Sequence, residues 1–360
     1  MKRKCLMVFL CLALLAGLCS AAPSPQTGLK ALFGLGESET LLNRRDVITP
    51  GQSSGDWAAI GFALTGQAED YGGYLADLEA AVTQRYAQAG RLDQNRATEW
   101  HRIALTVLAL GGDPTAFGRD PQGNPINLVA DGTYNYVNAD LGLQGINGYL
   151  YALLVLDAGD YQTPGDSRYT RQDILQAILD SQNPDGGFGL QAGSSDADIT
   201  AMALQALAPY REGQARQAVE NALAYLASVQ NPDGGFSSGG QPACESAAQV
   251  IIALAALGLD PETALPGGSV VQAMLAYRQP DGSFAHGLDG EGNLTATEQA
   301  GLALAAVQRQ GSIYDFTQYT PPVPAKTGPE PVAWIALGGG LACAAVVLAL
   351  LLRRRHRRAA

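Results

Sequence analysis

Apolar residues along this chain come in helix-length runs, and six of them open the same way, with an acidic or amide residue in the first turn: Asp56-Trp57, Glu99-Trp100, Asn147-Gly148, Asp198-Ile199, Glu245-Ser246 and Glu298-Gln299. The openings are 43, 48, 51, 47 and 53 residues apart. Such a period marks a repeat architecture, in which each unit buries its apolar face on its neighbours. Amphipathic segments precede the runs, for example Ala218 to Val229 with Val219, Leu223, Leu226 and Val229 on one face. Runs such as Ala247 to Leu257 have almost no polar face and must be surrounded. The pattern predicts an outer ring of amphipathic helices around an inner ring of apolar ones, closing on itself so that the acidic starts share one rim. In the first half, Leu75 to Ala89 reads as an outer helix, Thr98 to Leu110 and Asn147 to Leu156 as inner ones, and Asp113 to Tyr136 as an elaborated loop or short helical insert.

The connections repeat as well. Asn183-Pro184-Asp185-Gly186-Gly187-Phe188 returns as Asn231-Pro232-Asp233-Gly234-Gly235-Phe236 and, loosened, as Gln279-Pro280-Asp281-Gly282-Ser283-Phe284, each copy 48 residues after the last. Pro and Gly stop the preceding helix, Asp bonds its own turn and Gly supplies positive φ, so each copy predicts a fixed corner between two helices.

Both ends differ in kind from the repeats. Lys2, Arg3 and Lys4 precede the apolar stretch Leu6 to Leu18 and small residues follow, so residues 1–21 are expected to be a secretory signal. Val332 to Leu352 is an uncharged run of 21 residues, the length of a membrane-spanning helix, and residues 353–360 after it form a basic, cytoplasmic tail. Pro324-Ala325-Lys326-Thr327-Gly328 before that helix and basic tail resembles a sortase sorting signal, with Ala325 where Pro is usual, so processing near Thr327-Gly328 is an alternative to a plain anchor. Residues 22–50 are expected to be a linker, 51–312 the repeat domain and 313–331 a Pro-rich stalk. The expectation is an exported ectodomain held at the cell membrane, or attached to the wall.

Without signal and tail the chain keeps 15 Lys and Arg against 34 Asp and Glu, which argues against nucleic acid or anionic membrane surfaces as partners. Outside the signal and the apolar C-terminal run, Cys244 is the only cysteine, so the fold must rest on its core rather than on disulfides.

Gln182-x3-Gly186-x-Phe188 and Gln230-x3-Gly234-x-Phe236 resemble the Gln-to-aromatic repeat of terpenoid cyclases and protein prenyltransferases, with Phe for the more usual Trp; in the third copy Gln279 stands only three residues from Gly282. The resemblance is concentrated in residues 170–310 and implies an all-α fold, an α6/α6 toroid, here followed by the transmembrane helix. The same toroid occurs in transcobalamin and intrinsic factor, so it names no reaction by itself.

Three chemistries follow from the resemblance. Asp196-Ala197-Asp198-Ile199 is similar to the Asp-x-Asp-Asp motif of class II terpene cyclases, which implies Asp198 as proton donor and Asp196 as its neighbour, with Ile199 in place of the last Asp. Against this, Asp198 shares its register with the other openings, and a helix N-terminus lowers a carboxyl's pKa. Zinc-dependent prenyl transfer implies an Asp, a Cys and a His. Cys244 is placed for it, but Pro242 stands for the Asp, and Leu294 to Gln299 holds no His, so neither metal nor cofactor is expected. A glycosidase needs one marked pair of carboxylates, and no pair is singled out.

What remains is a surface-anchored ligand-binding or adhesive module, with the cyclase as the alternative. Its expected binding residues are Asp56, Trp57, Glu99, Trp100, His101, Asn147, Tyr149, Tyr151, Glu245 and Glu298, around a cavity for a small apolar ligand, or for a host or wall macromolecule.

Overall fold

A computed structural model describes residues 22–322; the expected signal, transmembrane helix, basic tail and sorting motif lie outside the described residues. Within them no helix is long and apolar enough to cross a membrane. The chain is mostly helical and folds as an α/α toroid. Inner helices are α2 (Ser53–Leu64), α4 (Thr98–Ala109), α6 (Asn147–Ala158), α8 (Ala197–Leu207), α10 (Cys244–Ala256) and α12 (Leu294–Arg309), one for each opening in the sequence. Each packs on the next, and α12 packs back on α2, so the ring is closed. Nearly every residue of α10 is buried, as a helix surrounded on all sides requires.

The outer elements are α1 (Pro25–Leu32), α3 (Tyr71–Ala89), α5 (Leu128–Gly132), α7 (Arg171–Asp180), α9 (Gly213–Val229) and α11 (Val270–Leu275), each preceding its inner partner. On α9 the buried face is Ala215, Ala218, Ala222 and Leu226, at helical spacing. Val219 and Leu223 only flank it and Val229 is exposed, so the face is turned from the expected one toward alanines, whose small side chains let the helix lie close to the ring.

Three short antiparallel hairpins correct the all-helical expectation: β1 (Phe188–Gln191) with β2 (Ser194–Asp196), β3 (Ser237–Ser238) with β4 (Gln241–Pro242), and β5 (Phe284–Ala285) with β6 (Gly292–Asn293). Each lies between a repeated corner and the inner helix after it. The corners themselves form as expected. Gly186, Gly234 and Gly282 have φ of 87°, 87° and 91°. Asp185, Asp233 and Asp281 each accept the backbone N–H two residues on, at 3.0, 2.9 and 2.9 Å. Phe188, Phe236 and Phe284 are fully buried.

The third corner is in register after all. Gln279 N–H donates to Ser283 O just as Asn183 N–H donates to Gly187 O and Asn231 N–H to Gly235 O, so Gln279 stands for the asparagine and Arg278 for the family glutamine. Gln182 donates to Ala218 O on α9 and Gln230 to Gly268 O ahead of α11. Arg278 donates instead to Pro23 O ahead of α1. Each corner thus grips the next outer helix, and the last one grips the first.

Residues 22–50 are therefore not a linker. They hold α1, the outer helix of the first unit, and bury Leu29, Leu41, Leu42 and Ile48. Lys30 lies 3.0 Å from Glu69 in a buried ion pair. The segment Asp113 to Tyr136 supplies α5, which packs on α4 and α6 and so takes an outer position despite its loop-like composition. The first residues of the expected stalk also belong to the ring: Ile313, Tyr314 and Phe316 are buried, and Phe316 N–H donates to Ala158 O at the end of α6.

Candidate functional site

The inner helices leave a cavity along the ring axis. Toward their N-terminal ends it has two communicating chambers of about 430 Å³ and 320 Å³, which share Ser53, Trp57, Tyr151, Gln249 and Gln299. The larger is completed by Gln52, Ser54, Thr295, Glu298, Leu302 and Tyr314, the smaller by Thr98, Arg102, Gln144, Asn147 and Met202. A third space of about 550 Å³ opens where the inner helices end, and Tyr314 lines it as well as the larger chamber. The segment after α12 crosses this end of the ring, so Tyr314 stands as a partition across the axis.

The walls are more polar than an apolar ligand site requires. Gln205 donates to Gln249 Oε1 at 2.9 Å and Gln249 to Gln299 Oε1 at 3.2 Å, a run of amides across three inner helices. Trp57, Tyr151 and Tyr314 form the aromatic part, with the Trp57 ring 6.2 Å from Tyr151 and 6.4 Å from Tyr314.

Only four of the expected binding residues line these chambers: Trp57, Asn147, Tyr151 and Glu298. Asp56 is fully buried and accepts Arg102 Nε at 2.9 Å, Tyr74 Oη at 2.8 Å and Gly51 N–H at 2.9 Å. Glu99 accepts Arg102 through both oxygens, at 2.7 and 3.1 Å. These two are structural anchors of the α2–α4 contact rather than rim groups. Trp100 Nε1 donates to Tyr86 Oη, which donates to Asp131 on α5. His101 is buried, its Nε2 2.5 Å from Gly132 O, and burial pushes its pKa down to about 4, so it is neutral. Tyr149 turns outward to Asp140. Glu245 accepts His286 Nδ1 at 2.8 Å between α10 and its neighbouring hairpin.

Asp196 and Asp198 do different work from each other. Asp196 caps α8, accepting the N–H groups of Asp198 and Ile199 at 2.9 and 3.0 Å. Asp198 carries one buried oxygen without a partner. Burial pushes its carboxyl up to about 6, helped by Asp196 and Glu245 and opposed by the Ser246 hydroxyl. The lowering expected from the helix end is thus outweighed by desolvation. Asp198 nevertheless lines neither chamber. Cys244 is buried, which pushes its thiol pKa up and leaves it an apolar core residue.

Glu298 is the exception among the carboxyls. It is 5% exposed, lines the larger chamber, and its Oε1 has no hydrogen-bond partner. Burial, with Asp56 nearby, pushes it up to about 9. The folded state therefore keeps a proton that the unfolded chain releases near the ordinary carboxylate range, so stability falls as pH rises toward 9. Glu298→Gln removes that loss. Between about pH 6.5 and about pH 8.5, above the titration of Asp198, the stability difference between variant and parent is expected to grow by roughly 1 kcal/mol per unit. Denaturant unfolding across that range checks it, and parallel curves would contradict the buried, uncharged Glu298.

Sequence reasoning missed the amides and Tyr314, yet a signal was present. Tyr151, Met202, Gln249 and Leu302 each stand four residues after their openings, and all four line the cavity. The same position holds Ile60 and Ile103 in the first two repeats, which are buried and line neither chamber, so it marks the wall only from the third repeat on.

Residues 148–290 match the family model of the prenyltransferase alpha-alpha toroid domain. A solved structure of a Candida albicans protein geranylgeranyltransferase-I complexed with GGPP is similar at 13% identity and a TM-score of 0.50, over 78% of this chain and 89% of that one. The ent-copalyl diphosphate synthase from Streptomyces platensis aligns at 20% identity and a TM-score of 0.46, over 71% of this chain and 50% of that one. No curated protein matches the sequence.

Proposed function

From a chain whose residues 148–290 carry a prenyltransferase-type α/α toroid, we propose a ligand-binding module, displayed outside the cell on its own C-terminal helix, that holds a small molecule in the axial cavity. The observation that supports this reading is the larger chamber itself. It combines three aromatic rings, a run of side-chain amides and a buried carboxyl with an unused oxygen. Concave sites of a few hundred cubic ångströms with a few convergent polar groups are the usual form of small-molecule sites. Cys244 is sealed in the core, and among the described residues no three His, Cys, Asp or Glu side chains gather as a metal site would need.

One observation favours a second reading. Asp198 has a raised pKa and a free buried oxygen, as a proton donor needs, which suits a cyclase-like enzyme. Its one acidic neighbour in the motif is committed to capping α8, and the donor stands outside the chambers.

Thermal unfolding of the intact chain with fractions of cell extract separates the two. A ligand bound only by the folded state raises the midpoint. The binding reading expects a fraction that stabilises the parent and Asp198→Asn alike, but not Trp57→Leu, with polyprenoids unaltered. Polyprenoid turnover that Asp198→Asn abolishes would establish the enzyme instead.

A further inference from the structure

The larger chamber restricts the chemistry of what it can hold. Trp57 packs on Tyr151 and on Tyr314 at centroid separations of 6.2 and 6.4 Å, and all three rings line the chamber. Glu298 reaches the same space with a carboxyl that is almost wholly out of water, and one oxygen satisfied by nothing in the protein. Aromatic faces attract a positive charge through their quadrupoles, and a desolvated carboxylate is the strongest counter-ion a protein offers.

The surrounding charges leave room for a cation. On α2, Asp56 is held by Arg102 of α4, and Arg102 is divided between Asp56 and Glu99, so its charge is matched twice. On α1, Lys30 is paired with Glu69. On α10, Glu245 accepts a hydrogen bond from His286 of the last hairpin and lines neither chamber. No unmatched basic side chain lines the larger chamber, and Glu298 is the one acidic group there.

Resting on the cavity-binding reading, we propose that the ligand is a small organic cation, with an ammonium headgroup seated among Trp57, Tyr151 and Tyr314 and Glu298 as its counter-ion. The amides of Gln249 and Gln299 then face the remainder of the molecule and select for hydrogen-bonding groups on it. Glu298 is uncharged in the empty site, so the cation displaces its proton on entering. A charge enters the cavity only as another leaves it, which keeps the buried site close to neutral.

Calorimetry on the intact chain with tetramethylammonium, choline and trimethyllysine, each beside its uncharged carbon isostere, tests this. At least one cation is expected to bind roughly tenfold or more tighter than its isostere. Titration of that cation near pH 7.5 in two buffers of different ionisation enthalpy is expected to show release of about one proton. Glu298→Gln should abolish the proton release and most of the preference for the cation over its isostere, and Trp57→Leu should weaken the cation about tenfold. Isosteres that bind as well as the cations, or cation binding without proton release, would overturn the proposal. A chain that ignores every cation of the panel yet is stabilised by a neutral compound from extract would overturn it too, and would leave the cavity-binding reading standing. A chain that binds nothing from either source would sink both.

Discussion

Replacing Gly28 by valine is expected to open the ring at its seam and to cost about 3 kcal/mol or more of unfolding free energy. A Cβ on Gly28 would lie 2.1 Å from Ser283 N and 2.2 Å from Gly282 C, both backbone atoms of the third corner, which cannot move aside as a side-chain tip can. From the other side, a Cβ on Gly282 would meet Ser24 O at 2.6 Å. These two glycines let α1 and the last corner approach backbone to backbone, the contact that joins the first unit to the sixth. Gly72→Ala is the control, since its Cβ meets nothing within 4 Å, and it is expected to be neutral or slightly stabilising. Hydrogen exchange should rise first in α1 and in the β5–β6 hairpin of the valine variant. Unchanged stability and protection there would mean that α1 is not the closing element.

Arg102→Met is expected to cost about 3–5 kcal/mol near neutral pH, because it strands the buried Asp56 carboxylate and leaves Glu99 only Arg85, at 3.2 Å, and the more distant Arg96. Asp56 is fully buried and Glu99 is 7% exposed. Both take charge-assisted hydrogen bonds from the one guanidinium, which also donates to Gly51 O at 2.9 Å. Without it Asp56 above all is pushed toward the protonated form, so the folded state holds a proton that the unfolded chain has lost. The deficit is then greatest near neutral pH and shrinks as pH falls to the ordinary carboxylate range. Asp56→Asn on the same background should recover much of the loss, since the carboxylate that remains, Glu99, still accepts from Arg85. Urea unfolding of the three chains at acid and neutral pH reads all of this. A deficit below about 1 kcal/mol, or one independent of pH, would show the triad to be dispensable.

The ring was legible because its two signals are local. An all-round apolar helix has only one place in a layered fold, and an Asn-Pro-Asp-Gly turn has few conformations open to it. The seam was not legible, because its partners, Pro23 to Gly28 and Arg278 to Ser283, lie at opposite ends of the repeat array, and only Arg278 betrays the missing glutamine. The site was half legible for a geometric reason. Placing Trp100, His101 and Tyr149 at the mouth took account of height along the helix but not of rotation. Successive residues turn by about 100°, so Tyr151 can face the axis while Tyr149, two residues earlier, faces Asp140. Acidic openings misled in the same way: a carboxyl in the first turn of α2 or α4 points to a neighbouring helix, whereas Glu298, a full turn into α12, points to the axis.

Native mass spectrometry of the intact chain after incubation with cell extract tests the central claim most directly, because it asks whether the ring is a receptacle. The account predicts one retained small-molecule mass per chain, lost when Trp57 is replaced by leucine and kept when Glu220 on the outer face of α9 is replaced by glutamine. An empty ring in every extract, or a retained mass indifferent to Trp57, would contradict it and move the function to the outer surface.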